Sequence, residues 1–143
     1  MGAILAIDYG SKRVGLAISD PERVFAFPCD VIENKSYDYL ISQINNLILE
    51  KEVDYILIGM PYNMNKSSSD STKNEMEKNV EYFIKQLQKS VTIPIKTIDE
   101  RLSSFAAEEK LREAGLSAKK SKKYIDSEAA RLLLEEFIQE SSI

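Results

Sequence analysis

Four stretches of the chain carry side chains able to do chemistry. Asp8 closes an apolar run (Ile4, Leu5, Ala6, Ile7) and is followed by Tyr9, Gly10, Ser11, Lys12 and Arg13. A short unbroken apolar run bounded by a glycine turn reads as a strand buried on both faces. A carboxylate at the end of such a strand needs a metal ion, a basic side chain or a set of N–H donors, because a buried unpaired charge is costly. Taken by itself, the stretch reads equally well as an ordinary hairpin turn, since Asp and Gly are common turn residues. Asp99-Glu100-Arg101 closes the last run that reads as a strand, and Asp126 opens the last helical pattern. Just before Asp126 comes a basic cluster: Lys119, Lys120, Lys122 and Lys123.

Together these residues suggest metal-assisted chemistry on phosphates. In a mostly parallel sheet the first and fifth strands finish on the same side, where ligands gather. Asp126 shares a helical face with Ala130 and Leu133 by spacing and is expected to point inward. Three convergent carboxylates repel one another unless a divalent cation sits among them. A pair of cations roughly 3.5–4 Å apart is the usual clamp for in-line phosphodiester hydrolysis. Asp99 and Glu100 face opposite ways on a strand; with one strand between the first and the fifth, the gap is roughly 9.6 Å. The longer Glu100 spans that better, with Asp99 the alternative. Each acid also has a bland reading: Asp126 as a helix N-cap, Asp99-Glu100-Arg101 as a solvated loop with a local salt bridge. The lysines are either a solvated loop or a phosphate grip, which Lys12, Arg13 and Arg101 would extend; such contacts give salt-sensitive affinity and carry little sequence information.

Composition removes competing chemistries. The chain has no histidine, which excludes Ser-His and Cys-His nucleophiles and His-ligated zinc. Its single cysteine, Cys29, can form neither an intrachain disulfide nor a multi-Cys metal site, and its apolar surroundings suit core filler. Oxygen-only ligands favour Mg²⁺ or Mn²⁺. A net charge of −4 argues against a protein coated in basic residues but not against a local basic track. No secretory signal or membrane-length apolar run is present, so the expected location is the cytoplasm. At 143 residues, a single domain spanning 1–143 is the simplest organisation.

The elements that must position these groups follow from pattern. Residues 14–19 should pair antiparallel with the first strand, and residues 24–32 make a third strand that Pro28 marks as an edge. Tyr37, Leu40, Ile41, Ile44 and Ile48 fall at helical spacing behind an N-cap at Ser36. Residues 53–60 form a fourth strand, and 63–74 is a polar, serine-rich loop. A capping box at Thr72 and Glu75 opens a helix with Met76, Val80, Phe83, Ile84 and Leu87 on its apolar stripe. A fifth strand spans 91–98. Ser103 or Ser104 caps a helix running to about Ala114, closed at Gly115 and Leu116; a basic loop follows, and a last helix begins near Asp126. Three meander strands followed by alternating helices and strands define an α/β layer fold. That order is the ribonuclease H-like arrangement: a five-stranded mixed sheet, order 3-2-1-4-5, with helices on both faces.

The ordered set resembles the YqgF family of pre-16S rRNA nucleases and Holliday-junction-resolvase-like proteins. The matching stretches are Asp8-Tyr9-Gly10-Ser11-Lys12-Arg13-Val14-Gly15 with Ser19-Asp20, and Gly59-Met60-Pro61-Tyr62-Asn63-Met64. Asp99-Glu100-Arg101-Leu102-Ser103-Ser104, the lysine cluster and Asp126-Ser127-Glu128-Ala129-Ala130 complete it. The resemblance implies a metal-dependent nuclease acting on the 5′ end of precursor small-subunit rRNA, with Asp8, Glu100 and Asp126 holding metal. Ser121 interrupts the basic run, and Asn65-Lys66 stands where the family pattern has Asp-Gly. The resemblance also implies nucleic acid as partner, precursor rRNA first and ribosomal particles with it. Three further readings stand beside this one: a resolvase of branched DNA, a non-catalytic nucleic-acid-binding module, and an actin-like nucleotide-binding protein. The chain is short for the two lobes of the last. The sequence leaves oligomeric state open.

Overall fold

A computed structural model describes residues 2–60, 75–99 and 118–141, with only the backbone at 99, 118–127 and 141. Along the chain the elements are β1 (Ala3–Asp8), β2 (Arg13–Ser19), β3 (Ala26–Glu33), α1 (Tyr37–Glu50), β4 (Val53–Met60), α2 (Glu75–Ser90), β5 (Ile95–Asp99) and α3 (Ala118–Ser141). The five strands form one sheet in the order β3-β2-β1-β4-β5. β1 pairs antiparallel with β2 and parallel with β4, β2 pairs antiparallel with β3, and β4 pairs parallel with β5.

Both faces of the central strands are buried, which is why β1 reads as a continuous apolar run. Leu5, Ile7, Val14, Leu16, Ile56 and Ile58 pack on one face against Leu40 and Ile44 of α1 and Val80, Phe83 and Leu87 of α2. On the other face Ile4, Ala6, Ala17 and Leu57 pack against Ala130 and Leu134 of α3. Each fully buried large side chain contributes about 1.5–3 kcal/mol relative to exposure. The predicted cap of α1 is present: the Ser36 hydroxyl accepts from the Tyr39 N–H at 3.1 Å. No helix among the described residues is long and apolar enough to cross a membrane.

Several boundaries differ from the sequence expectation, each for a local reason. β3 starts at Ala26 because the Asp20 carboxylate accepts from the Val24 and Phe25 N–H groups at 2.9 and 2.7 Å, holding them in a turn. β5 starts at Ile95: Pro94 has no N–H to give, and its carbonyl accepts from the Ile56 N–H at 2.9 Å. The last helix starts at Ala118, not near Asp126. Lys119, Lys120, Lys122 and Lys123 therefore belong to a helix rather than a loop, and Asp126 lies within that helix and is not its N-cap. Alanine and lysine are good helix formers, so the polar stretch extends the packed part of α3 backwards. The expected loop at 63–74, the capping box at Thr72 and the helix after Ser103 with its closure at Gly115 lie outside the described residues.

Candidate active site

Asp8 is the last residue of β1, half-buried at the edge of the sheet. Strand alternation fixes which way it faces. Ile4 and Ala6 point to the α3 side, so Asp8, two residues on, shares that face. Its antiparallel partner on β2 is Gly15. On the other flank β1 and β4 run in register to Ile7 and Ile58, which brings Asp8 level with Gly59, and Gly59 pairs with Ile98 of β5. Ala17, Leu57 and Ile98 all pack on the α3 side, so Gly15 and Gly59 share the face of Asp8. The carboxylate thus stands between two positions without side chains.

The turn after Asp8 is held from two directions. Tyr9 is buried on the opposite face, its ring stacked on Phe83 at 5.0 Å and on Tyr37 at 6.5 Å. Burial, and then the hydrogen bond with Tyr9, push the Tyr37 phenol up to about 12. Gly10 is required sterically: a Cβ there would lie 2.3 Å from the Arg13 carbonyl oxygen. Asn34, just past the end of β3, clamps the same turn. Its side-chain amide donates to the Gly10 carbonyl at 2.8 Å, and its backbone N–H donates to the Lys12 carbonyl at 2.9 Å. Sequence reasoning missed Asn34; the only available signal was an amide residue between a strand and a helix cap, a common turn position. The Ser19-Asp20 pair serves the framework, with the Ser19 hydroxyl accepting from the Ile4 N–H at 2.8 Å and Asp20 closing the β2–β3 turn.

α3 packs across β1, β2 and β3, with lighter contact to β4. Phe137 stacks on Tyr55 near the start of β4 at 5.7 Å, whereas the earlier Ala130 and Leu134 meet Ala6 and Leu57. Glu128 is committed to Arg131, whose Nε donates to both carboxylate oxygens at 2.9 Å. The Glu128 and then Glu135 hydrogen bonds hold the Arg131 guanidinium above its ordinary value, against the effect of burial.

Of the residues expected to act, Asp8 is described in full, and Lys12 and Arg13 flank its turn, exposed and half-buried respectively. Asp126, Lys119, Lys120, Lys122 and Lys123 are placed by backbone alone in α3. Glu100 and Arg101 lie outside the described residues. Among the described residues no three acidic, cysteine or histidine side chains converge.

A sheet of this order with helices on both faces is the ribonuclease H-like fold, and known structures share it. Thermus thermophilus RuvC, solved with a Holliday junction substrate, has a TM-score of 0.59 at 11% identity, covering 93% of this chain and 92% of its own. The yeast mitochondrial Holliday junction resolvase gives 0.58 at 12%, covering 97% of this chain and 78% of its own. These likenesses show the fold. The chain itself belongs to the family described as RuvX, Holliday junction resolvase, whose model matches residues 2–140. A relative from Maridesulfovibrio salexigens named "Putative pre-16S rRNA nuclease" is 43% identical over 135 residues, 94% of this chain and 96% of that protein. One of the same name from Dictyoglomus thermophilum is 34% identical, covering 98% and 97%. The family is one of nucleases.

Proposed function

We propose that this protein is a metal-dependent nuclease that hydrolyses RNA phosphodiester bonds at the 5′ end of precursor 16S rRNA, during ribosome biogenesis in the cytoplasm. The observation that carries the reading is the setting of Asp8: a strand-end carboxylate between Gly15 and Gly59, on the face that α3 covers. That slot suits a hard cation bound to a phosphate, because the positions flanking the carboxylate on the two neighbouring strands are glycines. Asp8, Glu100 and Asp126 would hold Mg²⁺ or Mn²⁺. Glu100 is preferred to Asp99 because its longer side chain better spans the roughly 9.6 Å across one intervening strand. A bound cation would lower the pKa of its water and offset charge on the scissile phosphate.

The protein's own task is to orient the strand. Lys119, Lys122 and Lys123 precede Asp126 by seven, four and three residues, so within α3 they occupy its helical face, while Lys120 stands off it. With Lys12, Arg13 and Arg101 they would contact phosphates. Nucleic acid is the partner, with ribosomal particles its carrier.

Purified protein with precursor 16S rRNA and Mg²⁺ or Mn²⁺ tests this directly. Asp8→Asn should slow cleavage by at least about 100-fold, since even outer-shell partners of metal ligands cost roughly 10–100-fold. RNA binding without cutting under either ion would refute the enzyme and leave a binding module. A branched DNA junction is the second substrate to offer, because the family description names it. Faster cutting of the junction than of rRNA would make the protein a resolvase.

A further inference from the structure

The outer face of α2 carries a pattern that the active-site reading does not use. Lys78, Tyr82, Lys85 and Lys89 fall at i, i+4, i+7 and i+11, one continuous stripe on a helix, and all four are exposed. Tyr82 leaves half its surface open to solvent. No carboxylate pairs with the three lysines among the described residues. Glu75 sits at the N-terminal end of the stripe and Glu81 beside it, so the stripe itself is cationic over three turns.

The stripe is joined to the Asp8 turn by aromatic rings. Tyr82 meets Tyr37 edge-on at 4.9 Å, and Tyr37 lies parallel to Tyr9 at 6.5 Å, with an interplanar angle of 7°. Tyr9 follows Asp8 directly in β1's terminal turn. Lys12, exposed in that turn, adds a positive charge, while Asp38 in the first turn of α1 is the acidic neighbour of Tyr37. A solvated helix surface accounts for lysines at this spacing. It does not account for a large, half-exposed ring between them, joined edge-on through a second ring to the turn that carries Asp8.

Building on the nuclease reading, we propose that the stripe Lys78–Tyr82–Lys85–Lys89 is a track for single-stranded nucleic acid. An unpaired strand crosses the sheet edge at the Tyr9-Gly10 turn and continues along α2. The ammonium groups contact successive phosphates, and one base stacks on Tyr82. Stacking on an exposed ring requires an unpaired base, because bases in a duplex have their faces occupied by neighbours. The track therefore gives the enzyme a preference for substrates with a single-stranded segment next to the scissile bond.

Binding is measured by fluorescence anisotropy with a labelled single-stranded RNA of mixed sequence, using full-length Asp8→Asn protein without divalent ions so that nothing is cut. Tyr82→Ala should weaken binding about 5- to 150-fold, the range of one lost base–aromatic stack, and Tyr82→Phe should bind as the parent does. Replacing Lys78, Lys85 and Lys89 together by Ala should reduce the slope of log affinity against log salt by about 2, at roughly 0.7 per phosphate contact. All four positions are exposed, so these changes leave the fold intact. Unchanged affinity in Tyr82→Ala together with an unchanged salt slope in the triple variant overturns the track. A duplex of equal length that binds as tightly and loses as much from Tyr82→Ala also overturns it. Cleavage by the chain with Asp8 present separates the two readings: stripe variants that cut precursor rRNA at the parent rate remove the track and leave the nuclease. Strand binding that depends on the stripe, in a protein that cuts nothing, does the reverse.

Discussion

Gly10→Ala is the sharpest perturbation of the Asp8 turn. The added methyl would lie 2.3 Å from the Arg13 carbonyl oxygen, a backbone atom that cannot swing aside as a side chain could. Relief requires the turn to open by about 1 Å, and forcing an extra carbon into a filled site costs about 1–3 kcal/mol. Opening also stretches the bonds from Asn34 to the Gly10 and Lys12 carbonyls, now 2.8 and 2.9 Å, each contributing about 0.5–1.5 kcal/mol. A total of about 2–6 kcal/mol should lower Tm by roughly 5–25 °C in a chain of this size. The functional effect should be larger than the loss of stability, because a shift of about 1 Å in a reacting group can cost about 100-fold in rate. Thermal unfolding by circular dichroism and single-turnover cleavage of precursor rRNA well below Tm measure the two effects separately. An unchanged Tm would refute the steric argument. A lowered Tm with an unchanged cleavage rate would show that the turn supports the fold without positioning Asp8.

Two other changes test the supports of the same turn. Asn34→Asp keeps the shape of the side chain but replaces its donor with an acceptor facing the Gly10 carbonyl. It should destabilise by about 1–3 kcal/mol in urea titration and slow cleavage; equal stability would mean that the clamp carries no weight. The Tyr37 phenol, held up to about 12, stays protonated in the folded state after it has ionised in the unfolded chain. Its contribution is complete below its ordinary value near 10 and is lost as pH rises through the folded one. Near-ultraviolet absorbance titration should therefore show a late-ionising phenol that disappears in Tyr37→Phe, with a shallower loss of stability above pH 10. An unaltered titration curve would refute the assignment.

The strands were legible because their patterns are local. The cores of β1 (Ile4–Ile7) and β4 (Ile56–Ile58) are unbroken apolar runs since both their faces are buried, and the element types and connection lengths support the meander and the order β3-β2-β1-β4-β5. The edge position of Pro28 and the cap at Ser36 were legible for the same reason. The first turns of α3 were not. A run of lysines and serine without apolar residues has no hydrophobic period, so pattern reads it as a loop, whereas intrinsic propensity and continuity with the packed part of α3 make it helix. The starts of β3 and β5 also escaped, because the Asp20 side chain and Pro94 redirect backbone hydrogen bonds that hydrophobicity does not report.

The sequence by itself determined that Asp8 ends a buried strand, that no histidine or paired cysteine could share its chemistry, and that oxygen donors and lysines are what the chain offers a phosphate. Only the tertiary structure decided what surrounds that carboxylate. Gly15 and Gly59 flank it because three strands meet in one register, Asn34 reaches its turn from the far end of β3, and α3 covers the face of the sheet on which it stands. Register and crossing direction are set by packing among residues far apart in the chain, which spacing along one segment does not encode.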